Sequence, residues 1–223
     1  MIETSTLQFL KQLEKNNNKE WFDANRKKYE AAKAAFAIFV QQVIDEFSKT
    51  DTTLASLKAK DCLFRINRDV RFAKDKSPYK TNMGAYFNAG GKKSMTAGYY
   101  LHIQPGKSFI GGGMYQPDAD ALKKVRQEID YSFDELKKII SNKKFTSVYA
   151  SGLSSEGEAK LSRPPKGYDE NNPAIEYLKL KSFVAMSPLT DEQITDKKFV
   201  SAAVKAFTAL HPLVVFLNNA IQV

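Results

Sequence analysis

Three arginines and three lysines are concentrated in residues 65–82, where their spacing could serve anion binding. Only Asp69 and Asp75 oppose them, so this stretch carries +4 of the chain's formal net charge of +9. Planar guanidinium groups bind phosphate and carboxylate through paired hydrogen bonds, and lysines add charge at the rim. The residue types therefore predict an anion receptor whose candidate ligand-binding residues are Arg65, Arg68, Asp69, Arg71, Lys76, Tyr79 and Lys80.

An alternation of apolar and polar residues predicts a strand over residues 62–72. The even positions are apolar except for Arg68, which indicates a buried face with Phe64 and Phe72 on it, and the odd positions are polar. Asp69 then lies between Arg65 and Arg71, and neighbouring positive charge keeps a carboxylate ionised. We expect Asp69 to orient one of these two arginines and not to donate a proton.

The same residues allow a purely structural interpretation. Arg68 falls on the apolar face and requires a partner there, since burying an unpaired charge is costly. An Arg-Asp network that ties the strand to its neighbours would explain the pattern as well as a receptor would, because structural ion pairs also concentrate charge.

Two residues are candidates for proton transfer if the protein is an enzyme. Tyr79 lies among the cations of the basic stretch, and His102 projects from the polar face of a predicted strand together with Tyr100 and Gln104. A hydrogen-bonded structural histidine is the commoner situation. The sequence leaves open whether the protein catalyses a reaction.

Metal and cofactor chemistry have little support in the sequence. The chain has two histidines and one cysteine, without the spacing of a zinc site, and Cys62 falls on the apolar face of the predicted strand. Residues 111–113 are three glycines without the Gly-Lys-Ser/Thr of a phosphate-binding loop. A structural bulge or the close approach of a ligand would each explain them, and we favour the bulge. We predict no metal site and no cofactor.

Composition predicts a soluble protein that forms a single domain over residues 1–223. The length of 223 residues suffices for a sizeable core, and one cysteine fits a reducing compartment. The start of the chain does not resemble a signal peptide, and apolar runs are shorter than a membrane span. We therefore expect a cytoplasmic protein without a membrane partner, and the oligomeric state is open.

Periodicity predicts an α+β fold. A short helix opens at residues 4–6, and Asn18 caps a longer one that continues to Phe47. Alternating segments then predict strands at residues 83–88, 99–104 and 109–115, joined by turns. The last helix is expected to kink or restart at Pro212. The prediction is an antiparallel sheet of hairpins in the middle of the chain, packed against N-terminal and C-terminal helices.

Several motifs resemble the bacterial domain-of-unknown-function family 2461. The resemblance rests on Arg-x-x-Arg-Asp-x-Arg-Phe followed by Asp-Lys-x-x-Tyr, and on four further segments, at residues 17–22, 98–103, 111–115 and 163–168. At residues 171–173 the chain reads Asn-Asn-Pro, where the family is associated with an acidic residue and a histidine before the proline. The resemblance implies a bacterial, mostly single-domain protein and supplies no mechanism.

Three functions from different classes remain open. The first is a receptor, or an enzyme, for a phosphorylated or carboxylated small molecule at the basic stretch. The second is a nucleic-acid-binding module in which Tyr99, Tyr100 or Tyr115 stack on bases. The third is an interaction protein whose Arg-Asp network is structural. We prefer the first, because interleaved charge in a compact motif suits a small ligand better than a long polyanion.

Overall fold

The structure, a computed structural model, describes residues 1–92, 94–154 and 160–222. Its elements in chain order are α1 (Thr4–Lys15), α2 (Lys19–Ala24), α3 (Arg26–Phe47), a 3-10 turn (Thr52–Leu54), α4 (Ala59–Cys62), β1 (Met83–Phe87), β2 (Gly98–Ile103), β3 (Ser108–Met114), α5 (Ala119–Tyr131), α6 (Phe133–Ser141), α7 (Lys143–Thr146), α8 (Ile175–Leu178), β4 (Phe183–Leu189), α9 (Asp191–Thr195) and α10 (Phe199–Gln222).

The four strands form one antiparallel sheet in the order β1-β2-β3-β4. Strands that follow one another in the chain are neighbours in the sheet. Hairpin connections account for β1, β2 and β3, whereas helices α5 to α8 lie between β3 and β4. The α3 and α4 helices contact β1, and helices occupy both ends of the chain. The predicted α+β class, with its sheet in the middle of the chain, is confirmed.

The described chain forms two compact units. The first comprises Met1–Lys92, Tyr100–Ile110 and Pro188–Lys205, and the second comprises Lys93–Tyr99, Gly111–Ser187 and Ala206–Val223. In the first unit α1 packs on α3 through fully buried residues such as Leu13 and Val40. In the second unit α5 packs on α6 and α8 around Ile129 and Leu178. The single domain stays a prediction.

The strand predicted over residues 62–72 is wrong. The α4 helix ends at Cys62, and the chain then makes only single bridges, Leu63 to Ala85 and Asn67 to Tyr79. Of the predicted buried face, Phe64 is 41% exposed and Phe72 is 96% exposed. Towards its end the alternation failed because Asp69 accepts a hydrogen bond from the N–H of Arg71, two residues ahead, which favours a turn over a ladder.

Two helix predictions need correction. The long helix expected after Asn18 is divided at Asn25, which ends α2 and precedes α3, although Asn18 does cap α2 by accepting from the N–H of Trp21. Of the kink or restart predicted at Pro212, the restart is wrong, because α10 runs through this residue, and the kink stays a prediction. Proline removes one backbone hydrogen bond, and burial of the apolar residues on both sides of it holds the helix together.

The α10 helix is the one helix in the described ranges that is long and apolar enough to span a membrane by length and composition, with a mean hydropathy of 1.7. Half of that window is buried inside the protein. Its exposed positions, which include Lys205, Thr208 and Pro212, recur at helical spacing and form a narrow stripe. This pattern is consistent with a core helix of a soluble protein.

The glycine run in β3 is required by the neighbouring strands. A Cβ atom at Gly111 would overlap the carbonyl oxygen of Ala185, and one at Gly113 would overlap that of Phe183. Gly113 also has a φ of +117°, which side-chain-bearing residues rarely adopt. The close approach at these glycines is therefore made by the backbone of the protein itself.

Candidate functional site

Residues 65–82, called the basic loop below, are held in shape by Arg68. Its guanidinium pairs with the Asp75 carboxylate and also donates to the carbonyl oxygen of Ser77 at 3.2 Å. Asp75 accepts from the hydroxyl and the N–H of Ser77, and these bonds together with Arg68 lower the pKa of Asp75 to about 2. Arg68 thus has the partner that its sequence environment required, and this cation closes the loop.

Arg71 is oriented by Asp69 on the solvent side of the loop. The two side chains form a bidentate pair, with Nε to Oδ1 at 3.0 Å and Nη2 to Oδ2 at 2.7 Å. Hydrogen bonds from the side chain and N–H of Arg71 lower the pKa of Asp69. Lys76 turns back onto the chain and donates to the carbonyl oxygen of Val70 at 3.0 Å. Arg71 and Lys76 therefore already have hydrogen-bond partners within the loop.

Tyr79 lies inside the protein and not on the rim of a receptor. It is 6% exposed, and its ring stacks on Phe22 with the centroids 3.9 Å apart. The backbone of Tyr79 is held by Asn17, whose side-chain amide donates to its carbonyl oxygen at 2.9 Å and accepts from its N–H at 3.1 Å. This contact attaches the end of the basic loop to the turn between α1 and α2.

Lys80 and Arg65 differ from the other cations of the loop. Within the part of the chain that the structure describes, neither side chain forms an ion pair or a hydrogen bond with the protein. Burial, and then the nearby positive charge of Arg65, lower the pKa of Lys80. The Lys80 ammonium lies 5.4 Å from the centroid of the Phe64 ring. A partly desolvated ammonium beside a second cation is an arrangement that a bound anion would stabilise.

A polar groove of about 390 Å³ opens beside Lys80. Its lining combines cations, carboxylates and neutral hydrogen-bonding groups: Glu14, Asn17, Arg68, Asp75, Ser77, Lys80, Thr81 and Asn82. Asp75 is neutralised by Arg68, so the free charges of the groove are the Lys80 ammonium and the Glu14 carboxylate. The volume lies within the range of small-molecule sites.

His102 belongs to a hydrogen-bonded network next to this groove. Its Nε2 donates to Oε1 of Gln104 at 3.1 Å, and its Nδ1 accepts from the Tyr100 hydroxyl at 3.1 Å and faces the Asn82 amide at 3.4 Å. Gln104 in turn donates to the Thr81 hydroxyl at 3.3 Å. Burial lowers the pKa of His102 and raises that of Tyr100 to about 12, so both are neutral near pH 7.

The structure divides the predicted site residues into three groups. Arg65 and Lys80 have cationic groups without an ion pair or hydrogen bond in the described chain, Arg68, Asp69, Arg71 and Lys76 are engaged in holding the loop, and Tyr79 is in the core. His102 lies with Tyr100 and Gln104, as the strand periodicity indicated. The sequence reasoning missed Asn17, which belongs to an Asn-Asn-Asn run, and Phe64, which the false alternation assigned to the core.

Metal binding has no support at this site. Across residues 1–92, 94–154 and 160–222, no group of three or more histidine, cysteine or acidic side chains is placed to hold a metal ion. Cys62 is buried, and desolvation raises its pKa to about 12, so its thiol is protonated and inert near pH 7.

Fold and site together define an α+β protein with a basic loop over a polar groove. The chain matches the family described as Conserved hypothetical protein (DUF2461) over residues 5–216, and it belongs to that family. No curated protein and no solved structure gave a significant match.

Proposed function

We propose that this protein binds a small phosphorylated or carboxylated molecule through Lys80 and Arg65. The observation that carries the proposal is the state of Lys80, an ammonium that lines the polar groove, is partly buried near the positive charge of Arg65 and has no acidic partner in the described chain. Removing a charged group from water costs free energy, and a nearby counter-charge offsets that cost. An anion supplied from solution is that counter-charge.

Neutral groups around Lys80 support binding of an oxyanion. Thr81, Asn82 and Ser77 line the same groove, and hydroxyl and amide groups are the usual partners of phosphate and carboxylate oxygens. The hydroxyl of Thr81 accepts from Gln104, which leaves its proton to donate toward the groove. The Glu14 carboxylate carries the opposite charge to Lys80 in the same groove. It therefore favours a ligand that also carries a hydroxyl or an amine.

Binding, and not proton transfer, is the activity that we propose for this site. Both candidate proton-transfer residues lie in packed surroundings, since Tyr79 is 6% exposed with its ring stacked on Phe22, and both ring nitrogens of His102 are hydrogen-bonded. We assign His102 the role of fixing Asn82 and, through Gln104, Thr81 at the groove.

A second candidate function, single-stranded nucleic-acid binding, is favoured by Phe72. Its ring is 96% exposed and lies 5.9 Å from the Arg71 guanidinium, so a base could stack where a cation lies close by. Of the tyrosines predicted for this role, Tyr99 is 1% exposed while Tyr115 is 73% exposed. We rank this function second because Arg71 is already neutralised by Asp69.

A purely structural Arg-Asp network is the third candidate. Arg68 and Arg71 fit it, since each pairs with an aspartate of the same loop. It would require every arginine of the loop to be paired, and Arg65 has no such partner in the described chain.

We also infer that the protein works in the bacterial cytoplasm. A single buried thiol, that of Cys62, fits a reducing compartment, and the α10 helix has the burial pattern of a soluble core helix.

Calorimetric titration and thermal shift with inorganic phosphate, ribose 5-phosphate, citrate and an oligothymidylate test the proposal. Lys80→Gln and Arg65→Gln should each weaken binding of the preferred small anion by about tenfold or more, the contribution of one charge-assisted hydrogen bond. Lys107→Gln is the matched control, since it removes the same charge from an exposed turn.

The proposal is wrong if none of the small anions binds, or if Lys107→Gln weakens binding as much as Lys80→Gln does. Tight binding of the oligothymidylate alone, lost in salt and in Phe72→Leu, would establish the second candidate instead.

A further inference from the structure

An exposed aromatic ring lies directly against the cation that we assign to anion binding. Phe64 is 41% exposed, and Lys80 Nζ lies 5.4 Å from its ring centroid. The two side chains therefore form one surface, half charged and half apolar.

Phe64 is held firmly in this position. Its N–H donates to the carbonyl oxygen of Gly84 at 3.1 Å, and its ring packs edge-on against Tyr100, with centroids 6.1 Å apart at an interplanar angle of 70°. Tyr100 is itself fixed by its hydrogen bond to His102. A ring that is held in place and partly exposed can bind a planar group at a low entropic cost.

The contact with Lys80 differs from the other cation-ring pairs in the described ranges. Arg26 over Phe22, Lys33 over Tyr29 and Arg71 over Phe72 all involve a cation that is paired with a carboxylate, from Asp23, Glu30 and Asp69 respectively. In the pair of Phe64 and Lys80 the cation has no such partner. An anion bound to Lys80 would therefore lie next to the ring of Phe64.

We infer that the ligand of this site carries a planar aromatic ring on its anionic group, as a mononucleotide or an aryl phosphate does. An anionic oxygen bonded to Lys80 at about 2.8 Å lies no farther than about 8 Å from the centroid of Phe64. A ring attached to that anion can cover the exposed part of Phe64, and stacking on an aromatic side chain strengthens nucleotide binding without selecting one base. This inference rests on the proposed function.

Two matched pairs of ligands test the inference by calorimetric titration. AMP is compared with ribose 5-phosphate, and phenyl phosphate with inorganic phosphate, so that each pair differs by an aromatic ring. The ring should tighten binding about fivefold or more in at least one pair, the low end of what stacking contributes. A gain in the first pair alone indicates a nucleotide, and a gain in the second indicates a simple aryl phosphate.

Two substitutions show whether Phe64 is responsible. Phe64→Leu should reduce the gain to less than twofold while ribose 5-phosphate still binds. Phe72→Leu removes another exposed ring beside a cation and should leave the gain intact.

Equal affinities within both pairs, or a gain that survives Phe64→Leu, would overturn the inference and leave the anion receptor standing. If none of the small anions binds, citrate included, or if those that bind do so equally well to Lys80→Gln, the receptor itself is wrong.

Discussion

Asn17 pairs with the backbone of Tyr79 in the way that a neighbouring strand would. Its amide donates to the carbonyl oxygen and accepts from the N–H of the same residue, at 2.9 and 3.1 Å. One side chain thereby satisfies two polar groups of a buried residue and fixes the end of the basic loop beside the groove. The next residue along the chain is Lys80, so its position depends on this contact.

Replacing Asn17 by alanine should therefore lower the free energy of unfolding by about 2 kcal/mol, because a partly buried N–H and carbonyl oxygen both lose their partner. Urea denaturation measures this loss. Asn16→Ala is the control, since Asn16 bonds only within its own helix end and is exposed, and it should cost less than about 0.5 kcal/mol. Equal losses in the two variants would show that the contact with Tyr79 contributes nothing.

His102 should titrate below its ordinary value of 6.5 because burial disfavours its charged form. As the pH falls below 6.5 the unfolded chain takes up a proton before the folded chain does, so stability decreases from pH 6.5 down to the lowered pKa. Histidine resonances followed by NMR over pH 5 to 8 give the pKa and the tautomer. We expect the proton on Nε2, and a pKa at or above 6.5 would contradict this environment.

Gly113→Ala should prevent folding or cost more than about 4 kcal/mol, because its Cβ would overlap the carbonyl oxygen of Phe183. Gly91→Ala is the matched control. Gly91 also has a positive φ, of +73°, but nothing lies within 4 Å of its Cβ position, so the cost should be about 1 kcal/mol. Thermal unfolding of the two variants distinguishes crowding by the neighbouring strand from backbone conformation alone.

Asp69→Asn should leave the free energy of unfolding essentially unchanged, since its pair with Arg71 is exposed to solvent. Anion affinity at Lys80 should be unchanged, because Arg71 is engaged in the loop and is not part of the proposed receptor. Urea denaturation and titration with the preferred anion measure both quantities. A tenfold loss of anion affinity would instead show that Arg71 takes part in binding.

Local signals in the sequence predicted the regular elements well and the site only in part. The α+β class, the three hairpin strands and the polar face with His102, Tyr100 and Gln104 follow from periodicity that burial enforces. In the basic loop, burial does not enforce a periodic pattern of apolar and polar residues. Its apparent alternation placed Phe64 in the core, whereas the chain after Cys62 makes only single bridges there and leaves this ring 41% exposed.

Contacts between residues that are far apart in the chain also could not be predicted from the sequence. Asn17 and Tyr79 are 62 residues apart, and only the folded chain shows that one holds the other. Six cations in one stretch look alike in the sequence. Which of them are engaged, as Arg68 is, and which are free, as Lys80 is, depends on where each carboxylate lies.

The lowered pKa of Lys80 makes a prediction that separates a binding role from a structural one. Burial and Arg65 disfavour the charged ammonium in the folded chain relative to its ordinary value of 10.5. A base with a lowered pKa in the folded state opposes folding while it is protonated, and this penalty is relieved as the pH rises through the lowered pKa toward 10.5. Lys80→Gln should thus leave the Tm near pH 7 unchanged or raise it by up to about 2 °C, while anion affinity falls about tenfold or more.

Binding should follow the same ionisation. Anion affinity of the native protein should decrease as the pH rises through the lowered pKa of Lys80, earlier than an ordinary lysine would allow, because only the ammonium attracts the anion. In Lys80→Gln the weak binding that remains should lose this pH dependence. Titrations between pH 7 and 10 on both proteins measure the difference, and thermal unfolding is recorded at each pH. A variant that loses stability and affinity together, with a pH profile like that of the native protein, would show that Lys80 supports the fold and does not bind the ligand.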